Sequence, residues 1–228
     1  MQPALSIIIP TLNEANYLSS LLDYLRQVAP HNTEIIVVDG GSTDGTPQLA
    51  KTHDVSVLHA RKGRAPQMNA GAARARGQYL YFLHADTYPP TDFADHFTRI
   101  QAANIAAAGF RLRFDYQSTL LRFLAWCTGL NLSFLRFGDQ SLLITRRLFF
   151  DVGAYREDYL IMEGNEIIRR IKRQVGFHLI PACVTTSARK YRQNGTFYLQ
   201  SIYVLLFTLE RAGVKQPRLW RMYRRWVK

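Results

Sequence analysis

The chain has 228 residues, 47% of them hydrophobic, enough to bury a full core and to argue for one domain with a C-terminal extension. Its formal charge is +12, but residues 189–228 hold ten Lys and Arg against one acid, Glu210, so +9 lies in that tail and about +3 in the rest. A disordered chain, a disulfide scaffold and a membrane-spanning bundle are excluded: no stretch reaches roughly eighteen apolar residues, and Cys127 and Cys183, far apart in apolar surroundings, read as reduced thiols.

The predicted elements alternate. A β-branched run over 5–9 closes at Pro10, and Asn13 or Asn16 is expected to cap a helix over 17–28, where Leu18, Leu21, Leu22 and Leu25 repeat at helical spacing. Strands follow over 34–38 and 55–59, with a short helix over 46–52 between them, opened by Thr43 or Asp44. An alanine-rich helix over 65–75 leads to a strand over 79–83. Pro89-Pro90 then breaks the chain before a helix over 91–101 and a strand over 106–114. This succession predicts an α/β fold with a mostly parallel central sheet and helices on both faces. Residues 120–137 are apolar and aromatic without clean periodicity, and no internal repeat occurs.

Two runs end abruptly in a carboxylate, Asp39 and Asp86. In an open parallel sheet ligands bind outside the carboxyl ends of the strands, so both acids should face one crevice. Asp39 suits the hydrogen-bonding groups of a base or ribose, and Gly40-Gly41 lets the backbone approach a ligand closely. Pro10-Thr11-Leu12-Asn13-Glu14 adds polar groups to the same rim. Asp86 suits a divalent cation bridging a pyrophosphate, since Mg²⁺ often takes only one or two protein carboxylates besides the phosphates. His84, on the same side of an extended chain, is either a ligand of metal or phosphate or a polar residue satisfied at a strand end. Arg61-Lys62-Gly63-Arg64 before a helix start is either an anion site or a solvated basic loop. No P-loop, dinucleotide or CxxC pattern occurs.

Ser6-Ile7-Ile8-Ile9-Pro10-Thr11-Leu12-Asn13-Glu14, followed by Ile36-Val37-Val38-Asp39-Gly40-Gly41-Ser42-Thr43-Asp44-Gly45-Thr46, resembles the start of a family 2 glycosyltransferase with the GT-A fold. The resemblance continues through Arg64-Ala65-Pro66-Gln67-Met68-Asn69-Ala70-Gly71-Ala72, Phe82-Leu83-His84-Ala85-Asp86-Thr87, Gly138-Asp139-Gln140 and Met162-Glu163, covering roughly 4–190. The Arg-Ala-x-Gln-Met-Asn-x-Gly and Leu-His-Ala-Asp-Thr forms resemble a compact bacterial subgroup found beside radical-SAM proteins. The resemblance implies a GT-A domain over 1–190, with a nucleotide half over 1–88 and an acceptor half over 89–190, and a basic aromatic helical extension over 191–228. It implies that Pro10, Thr11, Glu14 and Asp39 hold the nucleotide, with Asn13, Gly40, Gly41, Arg64, Gln67, Asn69, His84 and Ala85 completing that set. Asp86 would bind Mn²⁺ or Mg²⁺, Asp139 and Gln140 would lie near donor sugar or acceptor, and Tyr191 and Arg192 would help hold the diphosphate.

Two departures from the family pattern stand out. His84 replaces the first aspartate of the metal motif, and the later acidic pair appears as Glu163-Gly164. An inverting transfer needs a carboxylate to take the acceptor hydroxyl proton, which leaves Glu163, or Glu166 at i+3, as the base. The expected function is therefore transfer of a sugar from a nucleotide-diphosphate sugar, UDP- favoured and GDP- possible. The alternatives are a relative that binds such donors without turnover, and a nucleic-acid-binding protein suggested by charge alone; no nucleic-acid module is recognised.

The tail has two readings as well. Residues 197–209 are aromatic and helical, and 219–226 mix Trp, Tyr and Arg at helical spacing. That second helix either lies on an anionic membrane or packs its aromatics on the core. With no leader recognised at the start, the expected location is the cytoplasm, peripheral at the inner face of the membrane.

Overall fold

Seven consecutive buried residues, Leu5–Thr11, form β1, the strand around which the sheet is organised. The computed structural model describes residues 2–116, 118–130 and 141–227. Helix α1 (Ala15–Val28) buries Leu18, Leu21, Leu22, Leu25 and Val28 on one face, each leucine contributing about 1.5–3 kcal/mol. Next come β2 (Thr33–Asp39), α2 (Thr46–Lys51), β3 (Ser56–His59), α3 (Arg64–Arg74) and β4 (Tyr79–Phe82), each within two residues of its predicted bounds. β1 pairs in parallel with β2, opposing Thr11 to Asp39, and with β4, opposing Ile8 to Phe82, while β3 pairs in parallel with β2.

The expected caps differ. The residue before α1 is Glu14, whose side chain makes no cap, and Asn16 lies inside the helix. Asn13 instead has a left-handed φ of 57° and accepts the Thr43 N–H at 2.8 Å. Gly45, at φ 85°, precedes α2, and Asp44 accepts the Thr46 N–H and hydroxyl from the loop.

The second half contains β5 (Thr87–Tyr88), α4 (Phe93–Ala102), β6 (Ala107–Phe114), α5 (Thr119–Cys127), β7 (Leu142–Thr145) and α6 (Arg146–Asp151). They are followed by α7 (Glu163–Gln174), β8 (His178–Thr186), α8 (Arg189–Asn194), α9 (Thr196–Arg211) and α10 (Gln216–Trp226). Strand order is β3-β2-β1-β4-β7-β6-β8-β5. β7 is antiparallel to both β4 and β6, β8 runs parallel to β6, and β5 is antiparallel to β8. The sheet is thus parallel through the first four strands and mixed beyond them, because β7 enters beside β4 from the opposite direction.

Both faces of the sheet are covered. Ile7, Ile9, Val37 and Tyr81 meet α1 and α4 on one side. Ile8, Ile36, Val38 and Phe82 meet Met68, Phe149 and Ile167 from α3, α6 and α7 on the other. Of the two readings for 219–226, the structure has the packed one: Leu219 is buried with Ile202 and Leu206, and Met222, Tyr223 and Trp226 close over them. Among the described residues no helix is long and apolar enough to cross a membrane. Asp139 and Gln140 lie outside the described residues.

Candidate active site

The carboxyl ends of β1, β2 and β4 meet at one rim. Gly40 N–H donates to Thr11 O and Leu83 N–H to Ile8 O, so the strands stop side by side and their following loops project together. Asp39, 1% exposed, accepts from Gly41 N–H at 2.9 Å and Ser42 N–H at 3.0 Å, and His59 Nδ1 stands 3.6 Å away. Burial opposes the charge, but hydrogen bonds from the Ser42 side chain and backbone and from Gly41 outweigh it, holding the carboxyl below its usual range. The turn is supported from beneath by Gln67, whose Nε2 donates to Thr11 O and Val38 O, each at 2.7 Å. A Cβ on Gly40 would come within 3.0 Å of that carboxamide and would require it to shift.

The β1–α1 loop and the β2–α2 loop are laced to each other. Asn13 N–H donates to Ser42 Oγ, Glu14 N–H to Thr46 Oγ1, and Ala15 N–H to Asp44 Oδ2. Asn13 therefore shapes the rim through the neighbouring loop. Thr11 is buried and donates its hydroxyl to Val38 O. Asn69 works similarly at a distance: its carboxamide pairs with Tyr155 N–H and C=O and with Glu157, clamping the 155–157 loop to α3. Ala85 belongs to the core, so only its backbone can meet a ligand.

One side chain unforeseen in the sequence joins the two halves. Arg189, first residue of α8, donates to Glu14 Oε1 at 2.6 Å and Oε2 at 2.8 Å, and its Nη2 lies 3.2 Å from Asp86 Oδ2. Its guanidinium also lies 4.8 Å over the Tyr17 ring. The antiparallel pairing of β5 with β8 delivers it, opposing Thr87 to Thr186 and letting Ser187 N–H donate to Asp86 O. Tyr191 and Arg192, two and three residues beyond Arg189, have partners of their own. Tyr191 is buried against Phe114 and Tyr203 and donates to Gln200 Oε1, while Arg192 meets Asp115 at 3.3 Å. The cue available in the sequence was Arg189 itself, three residues beyond a run that the structure makes a strand.

Across the rim, Glu163 opens α7, preceded by Met162 at a left-handed φ of 62°. Glu163 is 4% exposed, and with Pro10, His84, Leu83 and Tyr155 it lines a recess of about 20 Å³, room for roughly one water. Arg64 Nη1 lies 3.7 Å from its Oε1. Glu166 does not line this recess. It grips Arg170 through both oxygens, at 2.8 and 2.6 Å, while Arg170 also donates to Val152 O and Ala154 O.

The profile of the family described as "Glycosyl transferase family 2" matches residues 6–160, more than half of the chain. The chain belongs to glycosyl transferase family 2. Among curated family relatives, the succinoglycan biosynthesis protein ExoA of Rhizobium meliloti is 34% identical over 98 residues, 39% of this chain and 30% of ExoA. The chain thus spans less than a third of that relative's length. Among solved structures, mannosyltransferase PcManGT of Pyrobaculum calidifontis, in complex with GDP-Man and Mn²⁺, is similar with a TM-score of 0.70 and 19% identity, covering 96% of this chain and 68% of that one. S. aureus TarS 1-349 in complex with UDP-GlcNAc is similar with a TM-score of 0.66 and 16% identity, covering 83% of this chain and 59% of that one. These likenesses establish the GT-A architecture for this family 2 chain.

The metal motif that the resemblance implies has His84 and Asp86 at its two positions. Among the described residues no group of three or more His, Cys, Asp and Glu converges. Asp86 Oδ1 accepts a long 3.4 Å bond from Thr87, and His84 shares the recess wall with Glu163. One carboxylate with an imidazole nearby fits a cation that brings phosphates as its remaining ligands, and does not fit a self-sufficient protein cage.

Proposed function

We propose that this chain transfers a sugar from a nucleotide-diphosphate sugar to an acceptor hydroxyl. The observation that carries the reading is the convergence of Asp39, Glu14 and Asp86 at one rim with the Arg189 guanidinium among them and Glu163 in the adjoining recess. Asp39 and the Thr11–Glu14 loop receive the nucleoside; the preset Gly40–Ser42 turn costs little ordering when the ligand arrives. UDP- donors are favoured and GDP- donors possible. The reading extends to the compact bacterial subgroup that the Leu-His-Ala-Asp-Thr form suggests.

Arg189 is the basic group available to the diphosphate, exchanging one carboxylate partner for a phosphate oxygen. Mn²⁺ or Mg²⁺, held by Asp86 with His84 beside it, would neutralise charge on the leaving diphosphate. Glu163 takes the acceptor hydroxyl proton as the oxygen attacks the anomeric carbon. The bond from that carbon to the diphosphate breaks as the new one forms, its electron pair leaves on the phosphate oxygen, and the configuration inverts. Work in the cytoplasm, peripheral to the membrane, completes the reading.

The test is binding before turnover. Thermal shift against UDP-, GDP- and dTDP-sugars, with and without Mn²⁺, should show one donor raising the midpoint, and Asp39→Ala should abolish that shift while keeping the far-UV spectrum. Undiminished donor binding by a folded Asp39→Ala protein would remove Asp39 from the site. A second reading, a binder without turnover, is favoured by His84 and Gly164 and by Arg189 occupying Asp86. A donor shift with no sugar transfer or donor hydrolysis would select it.

A further inference from the structure

None of the exposed aromatics on α5 and α9 lines the recess beside Glu163. Phe123 and Trp126 on α5 are 57% and 65% exposed and stack on each other with ring centroids 6.1 Å apart. On α9 the exposed apolar residues are Phe197, Tyr198, Val204 and Leu205, and Phe197 is 77% exposed. Their spacing of i, i+1, i+7 and i+8 puts them on one side of the helix. Ser201 and Thr208 continue the same stripe, yet both hydroxyls donate back to carbonyls four residues earlier, Phe197 O and Val204 O, each at 2.9 Å. The stripe therefore asks little hydrogen bonding of whatever covers it.

The two helices are packed together. Leu121 of α5 and Leu199 of α9 share a buried cluster, so the exposed residues of both helices belong to neighbouring surfaces. Soluble monomers rarely leave a large contiguous apolar patch to water. The charge nearby says what covers this one. α10 turns Leu219, Met222, Tyr223 and Trp226 onto α9, leaving Arg218, Arg221 and Arg225 exposed at i, i+3 and i+7. The segment from Arg189 onward holds ten basic residues and a single acid, and that acid, Glu210, is paired with Arg169.

We propose that the α5–α9 stripe is a membrane-docking surface that seats its aromatics in the headgroup region of an anionic phospholipid bilayer, with the basic face of α10 supplying attraction. Tyr and Trp settle at that depth, and each nearby Lys or Arg strengthens attachment to an anionic leaflet. The surface differs from the one the sequence suggested: α10 contributes its arginines, and the aromatics come from α5 and α9. The inference rests on the peripheral-attachment part of the proposed function and is independent of the sugar chemistry.

Flotation of the full chain decides it. The protein should float with phosphatidylcholine vesicles containing phosphatidylglycerol, float poorly with phosphatidylcholine alone, and release in high salt. Phe197→Ser with Leu205→Ser should weaken vesicle binding by about tenfold or more, and Trp126→Ser should weaken it separately, with thermal midpoints and donor-induced shifts kept. Arg218→Gln with Arg221→Gln and Arg225→Gln should remove much of the salt-sensitive component. A native chain that stays in the aqueous phase, or serine variants that float as well as the native chain, overturns the proposal. So does sedimentation equilibrium showing that the serine substitutions abolish self-association while flotation is unchanged, which would assign the stripe to a second copy of the chain. Because donor shifts are read on the same samples, loss of docking and failure of the transferase reading are separate results.

Discussion

Glu163 and Glu166 lie one helical turn apart on α7, and their surroundings give them different work. Glu163 borders the recess with His84 and Pro10, beside Arg64. Glu166 spends both oxygens on Arg170, which in turn holds the 152–154 segment. Glu163→Gln keeps shape and removes the proposed base, so turnover should fall roughly 10²–10⁴-fold with donor affinity little changed. Glu166→Gln should instead lower stability by about 1.5–3 kcal/mol, seen in chemical denaturation, with a small effect on turnover of the folded fraction. A large turnover loss from Glu166→Gln at full stability would reverse the assignment. Arg189 teaches the complementary lesson: a residue inside a basic tail becomes the link between Glu14 and Asp86 once β8 is paired with β5.

At the scale of elements, the rim depends on how closely α3 approaches the sheet. Gly71 marks the contact: a Cβ there would lie 2.5 Å from Ile8 Cγ2 and 3.0 Å from Val38 Cγ2. Both neighbours are β-branched and buried in strands, so neither can rotate aside cheaply. Gly71→Ala should therefore cost about 1–3 kcal/mol despite its better helix propensity. It should also weaken donor binding, because Gln67 on the same helix braces the ends of β1 and β2. Equilibrium denaturation and donor thermal shift measured together check this. An alanine variant as stable as the native chain would mean α3 has room to move. The alanine-rich helix itself was legible from its pattern; its closeness to Ile8 follows from two parallel strands lying beneath it.

Across the whole molecule, the C-terminal helices are tied to α7 by a partly buried ion pair. Arg169 of α7 donates to Glu210 of α9 at 2.9 and 2.6 Å, and Tyr159 adds a third bond. The Arg169 hydrogen bond holds the Glu210 carboxyl below its usual range against the pull of burial. A depressed carboxyl stabilises the fold fully above its unfolded pKa of about 4.3, and that contribution is lost as pH falls through the lower folded value. Glu210→Gln should thus lower the thermal midpoint at neutral pH, and its gap to the native chain should close below about pH 4. A gap that stays constant down to strong acid would show that packing of α9, rather than the charge pair, holds the two helices together.

Local patterning by itself determined the first half of this protein. β-branched runs ending in Pro10 and Asp39 and an aromatic and leucine run ending in Leu83, separated by helical leucine and alanine repeats, allow few arrangements other than parallel strands with their acids at one edge. The family motifs, which lie mostly in that half, were legible for the same reason: they are short and contiguous. Tertiary structure alone decided the rest. β7 joins β4 from the opposite direction, and two-residue β5 pairs with β8 almost a hundred residues later. No local periodicity records such long-range pairings, because their stability comes from strands that meet only after the chain has folded. The same holds for the tail, whose Trp, Tyr and Arg suit a bilayer or a core equally well until α9 takes one face of α10 and leaves its own aromatics exposed.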